Sequence, residues 1–253
     1  MKDARRSAMT AAMPLELQVY PTDAEAFDAA AALAAEHLRA AGTGSPAVAL
    51  SGGRGGRAVM IALAARGDVP WDRIEWYWGD ERVVAPDDPR SNVRLARESL
   101  LVPRGIAAAR IHPPPLELGD AAAIAAAYAG TLAGLVFDLV FLGVGTNGHI
   151  ASLMPGCAAL GATAPVAPVP VEEVSEDPFV ARVTITPPVL AAARRVIVAT
   201  AGENKAARVA AAMRDPFDPR RVPAELVRPS ERVTWVVDRA AAGDLLRDAR
   251  RAD

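Results

Sequence analysis

Cysteine occurs once in 253 residues, at Cys157, and the only lysines are Lys2 and Lys205. A single cysteine excludes an internal disulfide and a multi-thiolate zinc centre, and it suits a reducing compartment. The three histidines, His37, His112 and His149, lack metal-ligand spacing. Neither sign of charge dominates. With 28 basic and 30 acidic residues the net charge is −2, which supplies neither the basic field nucleic acid calls for nor a polybasic membrane patch. No apolar run approaches the ~20 residues that span a bilayer. Residues 1–13 are basic and alanine-rich without the apolar centre of a signal peptide. They read as a disordered lead-in to one domain, 14–253, of a cytoplasmic protein.

What the chain has instead is apolar content, 51% hydrophobic against 23% charged, enough for a folded core. Leu15–Tyr20 alternates like a half-buried strand. Thr22 or Asp23 then caps an alanine-rich helix running to about Gly42, with His37 on its surface. Short apolar strands follow at Ala47–Leu50, Ile74–Trp78, Leu139–Leu142, Val196–Thr200 and Val233–Val237, with a further strand at Arg182–Thr186. Helices are expected from about Arg57, from Ser91 or Asn92 to Leu101, from Ala121 to Leu135, up to Met213, and after Asp238. Cys157–Pro178 is the least regular stretch, a flap or small extra strands. This alternation predicts an α/β fold: an open, mostly parallel, Rossmann-like sheet with helices on both faces, plus a few extra short strands.

Two strand ends carry glycine turns. One is Ser51-Gly-Gly-Arg-Gly-Gly56 and the other Gly143-Val-Gly-Thr-Asn-Gly148, directly followed by His149. Glycines there let backbone N–H groups approach a ligand, and the carboxyl ends of parallel strands are where α/β sheets bind ligands. A strand, glycine turn and helix present free N–H groups to an anion. Ser51 adds a hydroxyl and Arg54 a forked cation suited to phosphate. Gly79-Asp-Glu-Arg82 ends another strand, with Arg82 as an anion ligand held by Asp80 or Glu81. Lys205 opens the helix after Val196–Thr200, where an anion is also welcome. His149 titrates near neutral pH and suits a general base.

Both glycine turns match G-x-G-x-x-G/A, a weak dinucleotide signal by itself. The first lacks a well-placed acid after the next strand, and the second lacks the following βαβ unit. No P-loop and no G-x-S-x-G elbow occurs. Ser152 and Cys157 lie near His149 but in no recognisable nucleophile motif.

Taken together, four blocks resemble the 6-phosphogluconolactonase family, of the wider group that includes glucosamine-6-phosphate deaminase and ribose-5-phosphate isomerase. Leu50-Ser-Gly-Gly53 resembles its L-S-G-G-S-T-P loop. Trp78-Gly-Asp-Glu-Arg82 with Ser91-Asn92 resembles its D-E-R and S-N pair. Leu142–Gly156 resembles L-G-x-G-x-D-G-H-T-A-S-L-F-P-G, and Arg182–Thr186 with Gly202–Lys205 resembles R-x-T-x-T and G-x-x-K. Pro223-Ala-Glu-Leu226 and Trp235–Ala241 fit the family's ending. The likeness spans almost the whole chain in order.

The resemblance implies hydrolysis of 6-phosphoglucono-1,5-lactone to 6-phosphogluconate in the oxidative pentose phosphate pathway, without metal or organic cofactor. It gives His149 to catalysis. It gives Ser51, the glycines Gly52 and Gly53, Arg82 and Lys205 to the substrate, a sugar phosphate lactone, and Arg54, Asp80, Asn147 and Gly148 complete the expected substrate-binding set. Oligomeric state is left open. Two departures stand out. Arg54-Gly55-Gly56 replaces the family's Ser-Thr-Pro, and Asn147 replaces the aspartate of Asp-Gly-His. Asparagine orients a hydroxyl but neither takes a proton nor stabilises an imidazolium. It also argues against the deaminase branch, where that aspartate is the implied base. The open alternatives are a non-catalytic or altered-specificity sugar-phosphate binder on the same scaffold, and a nucleotide-dependent oxidoreductase.

Overall fold

The computed structural model describes residues 15–214 and 216–245; the lead-in expected over 1–13 lies outside them. Six strands form one all-parallel sheet: β1 (Glu16–Tyr20), β2 (Ala47–Leu50), β3 (Glu75–Trp78), β5 (Leu139–Leu142), β8 (Val196–Thr200) and β9 (Val233–Asp238). Their order is β1-β9-β8-β5-β2-β3. The inner strands β2, β5, β8 and β9 are buried at every position, whereas β1, at an edge, is half-buried throughout. That is why the former read as continuous apolar runs and the latter as an alternation.

The extra strands do not fringe this sheet. β4 (Asp80–Arg82), β6 (Val166–Val169) and β7 (Arg182–Ile185) make a separate antiparallel sheet in the order β4-β7-β6. Asp80–Arg82, expected as a strand-end loop, is therefore a strand, paired Asp80 to Thr184 and Arg82 to Arg182.

One core lies on each face of the large sheet. α1 (Asp23–Ala40), α2 (Gly53–Ala64) and α3 (Asn92–Ala96), which runs into a π-helical turn to Leu101, cover one face. α4 (Ala121–Thr131), α5 (Pro187–Ala192), α6 (Ala206–Met213), α7 (Arg239–Ala242) and the small sheet cover the other. α1 starts in a capping box: Thr22 Oγ1 accepts from the Glu25 N–H, and the Glu25 carboxylate accepts from the Thr22 N–H at 3.0 Å. Its inner face is Ala26, Phe27, Ala30, Ala31, Ala34, Ala35 and Leu38, a helical stripe whose small side chains let the axis lie close to the sheet. His37, in the last turn of this helix and expected on the surface, is half-buried with Nε2 2.8 Å from the Asp138 carbonyl. Burial pushes its pKa down.

Two helix ends differ from expectation. α2 begins at Gly53 rather than Arg57, so Arg54, Gly55 and Gly56 are its first turn. α4 stops at Thr131 rather than Leu135.

The chain leaves β2 through α2 towards β3, and leaves β5 in the opposite direction towards β8. The carboxyl ends of β2 and β5, side by side in the sheet, thus form the switch point at which such sheets open a crevice.

Candidate functional site

A cavity of about 460 Å³ opens at that switch point. Each neighbouring element supplies one part of its wall. β2 ends in Ser51 and Gly52, and α2 presents Gly53 to Gly56. The start of the small sheet gives Asp80 and Arg82, and the end of β5 gives Gly143 to Gly145. β8 runs out into Thr200 and Ala201, followed by Asn204 and Lys205. Of the residues singled out from sequence, Ser51, Gly52, Gly53, Arg54, Asp80, Arg82, His149 and Lys205 all line the cavity. Asn147 and Gly148 do not line it.

The β2–α2 wall is backbone. Gly52 is the N-cap of α2 and has no side chain to cap it, and no acidic residue lies in the first turn. The first N–H groups of this helix are open to an anion. Gly52 also sits against Asn92, whose Oδ1 would lie 1.8 Å from any Cβ at that position. Arg54 is 73% exposed, 3.4 Å from Asp23.

The histidine loop is closed on itself. The N–H of Gly145 donates to the His149 carbonyl at 2.9 Å, that of Gly148 to the Gly145 carbonyl at 3.0 Å, and that of His149 to Asn147 Oδ1 at 3.0 Å. The Asn147 N–H donates to Glu176 Oε1 at 3.1 Å. The N–H groups of Gly145, Gly148 and His149 are therefore paired within the loop, and that of Asn147 is paired with Glu176. Asn147 Oδ1 also lies 2.8 Å from His149 Nδ1, while its Nδ2 donates to Ser175 Oγ at 2.7 Å. An amide oxygen accepting from the His149 N–H is an acceptor for the ring too, so Nδ1 carries the proton and Nε2 is bare. Gly145 makes room for the ring: a Cβ there would lie 2.1 Å from Nδ1. Burial pushes the His149 pKa below its ordinary 6.5; Glu176 and Asp80 pull it up, and Arg182 and Lys205 add to the fall. The imidazole is accordingly neutral at neutral pH.

Arg82 is not held by Asp80 or Glu81, as the sequence suggested. Its Nη1 donates to the Arg90 carbonyl at 2.5 Å. Asp80 Oδ2 accepts from Ser152 Oγ at 2.7 Å. Glu81, fully buried, ties the strand to the start of α3. It accepts from the N–H groups of Arg82, Asn92 and Val93 at 2.6, 2.8 and 2.6 Å and from Ser91 Oγ at 3.0 Å. Burial pushes its carboxyl up to about 7 against the pull of those backbone donors. Lys205 is half-buried in a 3₁₀ turn just before α6, and burial lowers its pKa. Among the described residues neither Arg82 nor Lys205 has a salt-bridge partner.

Three charged wall residues went unassigned in the sequence. Arg182, 2% exposed on β7, donates through Nη2 to the carbonyls of Glu176 and Pro178, both at 2.9 Å. It too has no carboxylate partner within salt-bridge distance among the described residues. The signal was an arginine inside an apolar strand. Glu176 and Asp177 come from the irregular stretch, where an acidic run next to a proline gives no local sign of its place beside His149.

Cations without carboxylate partners among the described residues, an open helix N-terminus and the His149 imidazole line one crevice at the carboxyl edge of an α/β sheet. The chain belongs to the family of glucosamine-6-phosphate isomerases and 6-phosphogluconolactonases, whose model matches residues 21–235. It is 35% identical over 211 residues to the 6-phosphogluconolactonase of Synechocystis sp., covering 80% of this chain and 85% of that one. With the Mycobacterium tuberculosis 6-phosphogluconolactonase it shares 33% over 250 residues, 92% of this chain and 99% of the other. The structure of the Trypanosoma brucei 6-phosphogluconolactonase superposes with a TM-score of 0.82 at 28% identity, over 92% of this chain and 99% of that one.

Proposed function

We propose that this protein hydrolyses 6-phosphoglucono-1,5-lactone to 6-phosphogluconate. The observation that carries the reading is the pairing of a neutral imidazole, its Nδ1 proton fixed by Asn147, with Arg82, Arg182 and Lys205 in the same cavity, which lack carboxylate partners among the described residues. The relatives' names identify the substrate that fits.

The phosphate binds at the amino end of α2, with Ser51, Arg54, Arg82 and Lys205. Binding so far from the ester places the lactone carbonyl next to His149. Nε2 takes a proton from water as the oxygen attacks C1, giving a tetrahedral oxyanion and an imidazolium. Arg182, which lines the same cavity, is the charged donor that faces the oxyanion. The C1–O5 bond then breaks, and the imidazolium returns its proton to the ring oxygen. Water is consumed, one carboxylic acid forms, and no redox step occurs. The reaction needs no metal or organic cofactor.

The test is hydrolysis of freshly made lactone against its spontaneous rate, for the wild type and for His149→Ala. The wild type accelerates it, and the variant loses about 10²- to 10⁴-fold in kcat, the usual worth of a positioned general base. Binding of the lactone without acceleration by the wild type would instead make the protein a sugar-phosphate binder.

A further inference from the structure

Resting on the hydrolytic reading above, we propose that Glu176 is a positioning residue for catalysis: it supplies His149 with the negative charge that Asn147 lacks. A base that takes a proton becomes a cation, and a single carboxylate at Nδ1 commonly both orients the ring and stabilises that cation. Here the two tasks are divided. Asn147 Oδ1, 2.8 Å from Nδ1, fixes the tautomer without charge. Glu176 Oε2 lies 3.7 Å from the same nitrogen, too far for a hydrogen bond but close enough for a strong Coulomb interaction in a part-buried site.

The carboxylate is held in that place from several sides. Its Oε1 accepts from the Thr146 hydroxyl and, at 3.1 Å, from the Asn147 N–H. Its own carbonyl accepts from Arg182 Nη2 at 2.9 Å. Both side chains are mostly shielded, His149 14% and Glu176 25% exposed, so water screens the pair only partly. The other charges facing the ring are Asp80 from β4, Arg182 from β7 and Lys205 from the turn before α6; Arg208 of α6 reaches the loop at the Thr146 carbonyl, 3.4 Å away. The Asp80 carboxylate is engaged by Ser152. Glu176 is the stronger of the two negative influences on the ring.

The decisive variant is Glu176→Gln. An amide in the same pose keeps an oxygen for Thr146 and Asn147 and removes only the charge. Expected are a fall in kcat of about ten- to a hundredfold, a KM within about threefold of wild type, and an acid limb of kcat/KM displaced to lower pH. The displacement is downward because an imidazolium without its counter-charge holds its proton less well. Adding Asn147→Asp to Glu176→Gln returns a carboxylate to the ring, recovers most of kcat and brings the limb back up. The His149 ring, one of three histidines and assignable by its loss in His149→Gln, gives a second readout by NMR titration. Its midpoint falls in Glu176→Gln whether or not lactone is turned over. A wild type without lactonase activity therefore overturns the hydrolytic reading while the titration still judges the charge pairing. An unchanged His149 midpoint in Glu176→Gln overturns the pairing. So does a raised KM with kcat intact, which would assign Glu176 to Lys205 and the phosphate.

Discussion

The two walls of the crevice are built to different tolerances. Along the β2–α2 wall, the groups aimed at the ligand are backbone N–H donors at an uncapped helix start, and Arg54 stands mostly in solvent. Along the histidine loop, the N–H groups of Gly145, Gly148 and His149 are matched to acceptors inside the loop and that of Asn147 to Glu176, and the ring lies against Gly145 without room for a methyl group. The two departures from the family's pattern singled out above fall one on each wall. On the open wall, three residues change type altogether, because the helix supplies the donors whatever side chains its first turn carries. On the closed wall, the change from aspartate to Asn147 is isosteric, and it keeps the acceptor on Nδ1. A carboxylate from a distant segment stands beside it.

The sharpest way to break this contrast is Gly145→Ala. The added Cβ would fall 2.1 Å from His149 Nδ1, so the ring or the loop must move. The expected result is a loss of kcat/KM of about 10²-fold or more, comparable to removing the base itself. Steady-state kinetics beside a thermal melt checks it, and near-wild-type activity would mean the loop is looser than its hydrogen bonds imply. Lys205→Met comes next. It keeps the aliphatic stem and removes a cation that has no carboxylate partner among the described residues, so KM for the lactone rises about ten- to a hundredfold with kcat nearly unchanged. An equal fall in kcat would place Lys205 at the ester rather than at the phosphate.

Much of this was legible in the sequence because it is local. The inner strands are fully buried, so their apolar runs announce them. Ser51, Arg82, His149 and Lys205 each follow a strand end, and a parallel sheet brings all such ends to one edge. What was illegible is tertiary. Glu176 and His149 are 27 positions apart in sequence, and their proximity is set by β7 and by Arg182 gripping the carbonyls of Glu176 and Pro178. Nothing in a Ser-Glu-Asp-Pro run encodes that. The extra strands were foreseen, but the one at Asp80–Arg82 and the antiparallel pairing of the three were not, for a related reason. Asp80–Arg82 is three residues long and polar, and its pairing with β7 joins positions about a hundred residues apart. His37 was misplaced because Asp138, which meets it, lies on another element.

The smallest expected effect, Arg54→Ala, tests the open wall. Arg54 sits in the first turn of α2, where a cation opposes the helix dipole and costs roughly 0.3–1 kcal/mol unless an anion is near. Its exposed pairing with Asp23 at 3.4 Å repays little of that. The unliganded variant should therefore melt at the same temperature or slightly higher. With phosphate bound the balance reverses, since the guanidinium then faces an anion. But the helix N–H groups, Lys205 and Arg82 remain, so KM rises by less than about fivefold and kcat stays unchanged. Raising the salt concentration should shrink even that difference, as it does for exposed charges. If KM instead climbs as far as in Lys205→Met, the guanidinium has taken over the task of the hydroxyls missing beside it. The open wall would then depend on its side chains no less than the closed one does.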